Sequence, residues 1–250
     1  MKMDTDEIIY LKKPKLRGAT AIAGSQGLRS VGSVAIDYLI ERWKPELFAE
    51  LHSSSFPVLY HGVPYAGATG EAGIKVQKGM VDAPKIEFYQ GKKLVITKGY
   101  QAEFSGQYKV ARTVIDLYKE LDVKRIIVLG GYVHRAQDKP LSEKPRGVSF
   151  CATTPKIVKE MEKLGLGSEY IGPFLGFSAL VLGVGMREGI EGIALFGETV
   201  PDFDRPTNPD PAAATAVLEK LSLVLGIEID TSGLFGKEER EKVEKISGYI

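Results

Sequence analysis

Residues 19–43 read ATAIAGSQGLRSVGSVAIDYLIERW, and this stretch decides the fold. Ala19–Ala23 is a short, mostly apolar run without polar alternation, the pattern of a strand buried on both faces. Gly24, Gly27 and Gly32 mark the loop that follows. From Val31 the period becomes that of a helix running to Trp43, with Val31, Val34, Ala35, Tyr38 and Leu39 on one face. Pro45 stops it. A buried strand feeding a helix through a glycine turn is the opening unit of an α/β sheet.

The same alternation continues along the chain. Phe48–His52, Val58–Tyr60, Lys85–Tyr89 and Leu94–Thr97 have strand length, with a tight turn expected at Gln90-Gly91-Lys92. Ser105 is placed to cap a helix reaching Leu121, with Tyr108, Ala111, Val114, Ile115, Tyr118 and Leu121 as its apolar stripe. Arg125–Leu129 is the clearest buried strand, expected to end at Gly130-Gly131. Thr154-Pro155 and Asp210-Pro211 each set a capping side chain before a proline at the first helical position. They predict helices Pro155–Leu164 and Pro211–Leu225, ended by Gly165 and Gly226. An apolar helix, Phe174–Arg187, and a strand, Ile193–Phe196, lie between. The fold class is therefore α/β: one domain over residues 1–230, with a central mixed sheet flanked by helices. Residues 231–250 form a charged C-terminal segment. From Lys237 to Lys245 only Val243 is uncharged, and Glu238/Lys242 and Glu241/Lys245 favour a short projecting helix.

Composition excludes several functions. The 250 residues carry 33 basic and 32 acidic side chains, a net charge of +1, so no global field recruits nucleic acid or anionic membrane. The N-terminal MKMDTDEIIY is acidic and lacks an apolar run, so no secretory leader is expected. The longest apolar run, Phe174–Met186, is interrupted by glycines and falls short of the roughly 20 residues a membrane span needs. A single cysteine, Cys151, fits a reducing, cytoplasmic setting. The richness in lysine and glutamate points towards a thermophilic source.

No catalytic set assembles, and neither a cofactor nor a metal is implied. The Gly24–Gly32 loop admits two readings, an anion cradle at a helix N-terminus and a tight turn for close packing. Gln26 breaks the dinucleotide fingerprint, and Ser33 stands where a P-loop needs lysine. His134 and Arg135 follow the strand ending at Leu129 and could serve as acid–base and anion clamp, but no carboxylate is placed to orient the histidine. His52, His61 and His134 lack metal-ligand spacing. Cys151, between Phe150 and Ala152, reads as a buried, inert thiol. The glycine-rich stretch 165–197 suits either internal packing or subunit contacts. The chain ends Gly248-Tyr249-Ile250, where a free carboxylate behind a tyrosine can act as a peptide ligand or be a chance ending.

Three blocks carry a family resemblance: Gly24–Ile40, Arg125–Gly131, and Gly189–Thr199 leading into Asp210–Ala214 and Leu225–Asp230. Together they resemble the proteasome-assembly chaperone family, in its archaeal type related to proteasome assembly chaperone 2, over roughly residues 8–230. The resemblance implies a sandwich akin to the purine nucleoside phosphorylase-like folds without their chemistry. It implies an ATP-independent, non-enzymatic binder of proteasome α subunits in the 20S ring. Such a protein assists assembly or activates, and works as a homo-oligomer or beside a related family subunit. The family's docking ending is a hydrophobic residue, tyrosine, then any residue. It maps onto Gly248, Tyr249 and Ile250 as the partner-binding residues, with Gly248 departing from the hydrophobic position. The rival readings are a structural oligomer and a nucleoside- or phosphate-directed enzyme using Arg29, His134 and the Gly24–Gly32 loop.

Overall fold

The computed structural model describes residues 6–56, 74–133, 146–168, 172–200 and 208–234. The strands are β1 (Glu7–Tyr10), β2 (Thr20–Gly24), β3 (Glu46–His52), β4 (Lys75–Gln77), β5 (Met80–Asp82), β6 (Ile86–Gly91), β7 (Leu94–Lys98), β8 (Arg125–Tyr132), β9 (Val148–Ala152) and β10 (Glu191–Glu198). The helices are α1 (Val31–Trp43), α2 (Gln107–Glu120), α3 (Pro155–Lys163), α4 (Gly176–Arg187) and α5 (Pro211–Leu225). Eight strands form one sheet in the order β1-β3-β6-β7-β2-β8-β10-β9, and β4 and β5 pair as a separate hairpin. The central four, β7, β2, β8 and β10, are parallel. Both flanks join antiparallel, so the sheet is mixed.

The parallel centre explains why its strands read as unbroken apolar runs: both faces are covered. Ala21, Ala23, Ile126, Val128, Ala194 and Phe196 pack with α2 and α4 on one side. Ile22, Ile127, Leu129, Ile193 and Leu195 pack with α1, α3 and α5 on the other. The caps expected from sequence form. Thr154 Oγ1 accepts from Ile157 N at 3.4 Å, and Asp210 Oδ1 accepts from Ala213 N at 3.0 Å. Gly226 takes the left-handed φ of 63° that ends α5. Among the described residues no helix is long and apolar enough to cross a membrane.

Several expectations need correction. β8 does not stop at Gly130-Gly131 but runs to Tyr132, because those glycines pair in register with Phe196 and Gly197 of β10. Ser105 caps nothing. The N-cap of α2 is Gly106, where an added Cβ would sit 2.0 Å from Ser55 Oγ, so the close approach of Ser55 selects glycine. Tyr108 is 49% exposed and leaves the α2 stripe. The β6–β7 turn lies at Lys92-Lys93, both with positive φ (52° and 60°), as a two-residue hairpin requires. Cys151 is not buried but exposed on the outer strand β9. Partial burial of its sulfur still raises the thiol pKa, opposed by a backbone hydrogen bond with Ala194. Strands β1, β4, β5 and β9 had no counterpart in the sequence reading, and Val58–Tyr60 lies outside the described residues.

Candidate functional site

The carboxyl ends of β2, β7, β8 and β10 gather at one edge of the sheet, where α/β proteins place their ligands. The loop from Gly24 to Ser30 enters there and is packed as a strut. An added Cβ at Gly24 would lie 2.6 Å from Gly32 O, and one at Gly32 would lie 2.4 Å from Leu129 O. The glycines are thus selected by close backbone approach, and the tight-turn reading accounts for them. Gln101 locks the loop: its Nε2 donates to Gln26 O (2.6 Å) and Ser25 Oγ (3.1 Å), while its Oε1 accepts from Phe177 N (3.0 Å). Ser33 Oγ donates to Ser30 O at 3.0 Å.

Arg29 is committed as well. Its guanidinium donates to the carbonyls of Asn208 (2.6 Å), Val200 (3.1 Å) and Pro209 (3.3 Å), and Arg29 O accepts from Asp210 N at 2.9 Å. Those contacts hold Arg29 and Ser30 in left-handed backbone, φ 48° and 51°. Arg29 therefore ties the first loop to the entry of α5 and is not an anion clamp.

Behind it lies a buried polar node that the sequence did not disclose. Asp210 Oδ2 accepts from Thr199 Oγ1 at 2.6 Å and lies 3.4 Å from Arg146 Nη2. Glu198, 3% exposed, accepts from Gly147 N at 3.1 Å. The capping role of Asp210 was legible from Asp-Pro, but no signal marks Arg146 or Glu198, whose partners are distant in sequence. Chemically this edge joins β8, β9, β10 and α5. Arg29 and the Gly24–Gly32 loop, which the enzyme rival would use, are held by structural hydrogen bonds. His52 Nε2 lies 3.1 Å from Glu50 Oε2 at the carboxyl end of β3, which opens on the same edge but is separated from β2 by β6 and β7. His61, His134 and Arg135 fall outside the described residues. No cluster of three metal-ligating side chains occurs among the described residues.

The glycine-rich stretch mostly packs inward. Phe177, Val181, Leu182 and Val184 of α4 join the core beside α2, while Leu175 (79%) and Met186 (50%) remain exposed. The last described residues are pinned to α1. Tyr38 Oη donates to Asp230 O (2.7 Å) and accepts from Gly233 N (3.2 Å), and Arg42 pairs with the Asp230 carboxylate. Leu234 packs against the core. Gly248, Tyr249 and Ile250 lie outside the described residues.

With this architecture in hand, the comparison with known families is decisive. The PAC2 family model matches residues 21–246. The chain belongs to the PAC2 family. The first curated relative is an uncharacterized protein of Methanocaldococcus jannaschii, MJ1210, 29% identical over 245 residues, covering 94% of this chain and 85% of the relative. Among solved structures, Pyrococcus furiosus PbaB, an archaeal proteasome activator, superposes with a TM-score of 0.77 at 25% identity, covering 99% of both chains. Pyrococcus furiosus PbaA, an archaeal homolog of proteasome-assembly chaperone, superposes with a TM-score of 0.71 at 21% identity, covering 97% of this chain and 96% of PbaA. This PAC2 protein shares its mixed sheet and flanking helices with PbaB and PbaA.

Proposed function

We propose that the protein binds the α ring of a 20S proteasome without ATP hydrolysis, docking through Gly248, Tyr249 and Ile250 and thereby assisting assembly or activation. The observation that carries the reading is the full-length likeness to an archaeal proteasome activator combined with the Tyr249-Ile250 ending. Sixteen residues follow Leu234, the last residue described, and a chain of that length reaches at most about 50 Å, less with the short helix expected at 237–245. A terminal segment of that reach can seat an anchor in a partner while the body stays outside. Tyrosine supplies a large rigid contact at low entropy cost, and the terminal carboxylate supplies a charge for a basic pocket. Self-association, with the exposed Leu175 and Met186 at the contact, completes the proposed assembly.

The test is a pulldown from native archaeal extract with the full chain, read by mass spectrometry for proteasome α subunits. Gly248→Leu restores the family's hydrophobic residue and should increase recovery. One residue added after Ile250 moves the carboxylate and should decrease it. Failure to recover α subunits with the full chain, or recovery indifferent to both changes, refutes the docking reading.

A further inference from the structure

We propose that the groove between α3 and the carboxyl end of α5 is a docking site for an acidic, aliphatic segment of a partner protein. The groove is open to solvent and has a volume of about 970 Å3, room for a short peptide segment. Lys156, Lys159 and Lys163 line its α3 wall at spacings of three and four residues, so they form one stripe on the helix. Other charges on that wall are already matched. Glu160 accepts a two-pronged contact from Arg125 at 2.7 and 3.0 Å, and Lys156 Nζ lies 3.3 Å from Glu191 Oε1. Lys159 and Lys163 have no acidic partner among the described residues. Leu164 (39% exposed) and Leu223 (50% exposed) supply an apolar surface between them and the end of α5.

The arrangement selects its occupant by charge. Two unmatched ammonium groups one helical turn apart complement two carboxylates at the same spacing. Both α3 and α5 end at the groove, and their dipoles disfavour an anion there, so carboxylates belong where the lysine ammonium groups offset that field and aliphatic side chains on the leucines. A phosphate or nucleic acid would find no arginine or aromatic ring lining the groove. A membrane surface would meet a concave wall. The site lies on the folded body, so it stands or falls independently of tail docking.

The probe is a labelled twelve-residue helical peptide with glutamates four residues apart flanking two leucines, titrated against the full-length protein by fluorescence anisotropy. Saturable binding is expected, weakening several-fold from 50 to 300 mM salt. Lys159→Glu with Lys163→Glu should lower affinity at least tenfold, and Leu223→Ser at least fivefold. These side chains are exposed, so the variants should stay folded, with Tm lowered only slightly by the new carboxylates at the end of α3. A peptide with lysines for glutamates should not bind. The proposal is overturned by absent saturable binding or by equal affinity of parent and variants. It is also overturned if anionic vesicles bind in place of the peptide, or if sedimentation shows a dimer that the double variant dissolves, which would seat a second copy there.

Discussion

Replacing Asp210 tests whether the sheet edge is a structural joint. In Asp210→Ala three interactions disappear together. The N-cap of α5 is lost, at about 0.5–2 kcal/mol. The Thr199 hydroxyl, fully buried, loses the acceptor 2.6 Å away, at about 1–3 kcal/mol. The Arg146 guanidinium, 18% exposed and 3.4 Å from the carboxylate, loses its counter-charge, which would cost about 3–5 kcal/mol for a fully buried pair and less here. These losses overlap, so the variant should be destabilised by roughly 3–5 kcal/mol in total. At about 2–4 °C per kcal/mol for a chain of this size, Tm should fall by roughly 10 °C. Asp210→Asn keeps the cap through an oxygen facing Ala213 N but turns its NH2 towards Thr199 and Arg146, so Thr199 must switch to accepting and the ionic contact is lost, about 1–3 kcal/mol in total. Calorimetry and urea unfolding read both. A drop below about 1 kcal/mol for Asp210→Ala, or equal losses for the two variants, would refute the three-part account.

Three further outcomes follow from the same structure. Gly32→Ala places a methyl 2.4 Å from Leu129 O and should lower stability by about 1–3 kcal/mol, whereas Gly27→Ala meets nothing within 4 Å and should be neutral, both read by urea midpoint. Glu160 is held below the ordinary glutamate pKa, first by its hydrogen bonds from Arg125. A lowered folded pKa means that the stabilisation is complete above the unfolded value and is lost as pH falls through the folded one. With side chains 23% and 39% exposed, the pair should contribute no more than about 1 kcal/mol, and Glu160→Gln should flatten that part of the acid limb of the stability profile. Lys159→Glu with Lys163→Glu should weaken acidic-peptide binding at least tenfold while the chain stays folded.

What the sequence disclosed and what it withheld divide along physical lines. Helix α1 was readable to the residue, because a helical stripe begins at Val31 and Pro45 enforces a stop; Lys44 takes the left-handed turn before it. Helices α3 and α5 were readable because capping residue, proline and terminal glycine act within one turn of chain. Central strands were readable because burial on both faces leaves unbroken apolar runs. The extension of β8 through Gly130 and Gly131 was not, since glycine normally signals a break. Pairing with β10 carries the strand through them, and the close approach of Leu28 and Val31 selects glycine at 131: a Cβ there would lie 2.9 Å from Val31 Cγ2 and 3.0 Å from Leu28 O. Outer strands β1 and β9 are half-exposed and gain their definition from one neighbour each, Leu51 opposite Ile8 and Leu195 opposite Phe150. The candidate site was legible where it is local, as in the Gly24–Gly32 loop and the Asp210 cap. Arg29 binds carbonyls more than 170 positions away, and Arg146 meets Asp210 only in three dimensions.

The central claim, that contact with the proteasome runs through the chain terminus, is tested most directly by one binding measurement. Purified archaeal 20S particles are immobilised, and the full chain and a chain lacking Ser247–Ile250 are titrated over them by biolayer interferometry. If Tyr249 and the Ile250 carboxylate form a buried anchor of about 2 kcal/mol or more, the truncated chain should bind at least roughly 30-fold more weakly. Its melting temperature should be unchanged, since the contacts pinning Asp230 and Gly233 to Tyr38 remain. Equal affinity for the two chains would contradict the account and move the contact to the folded body.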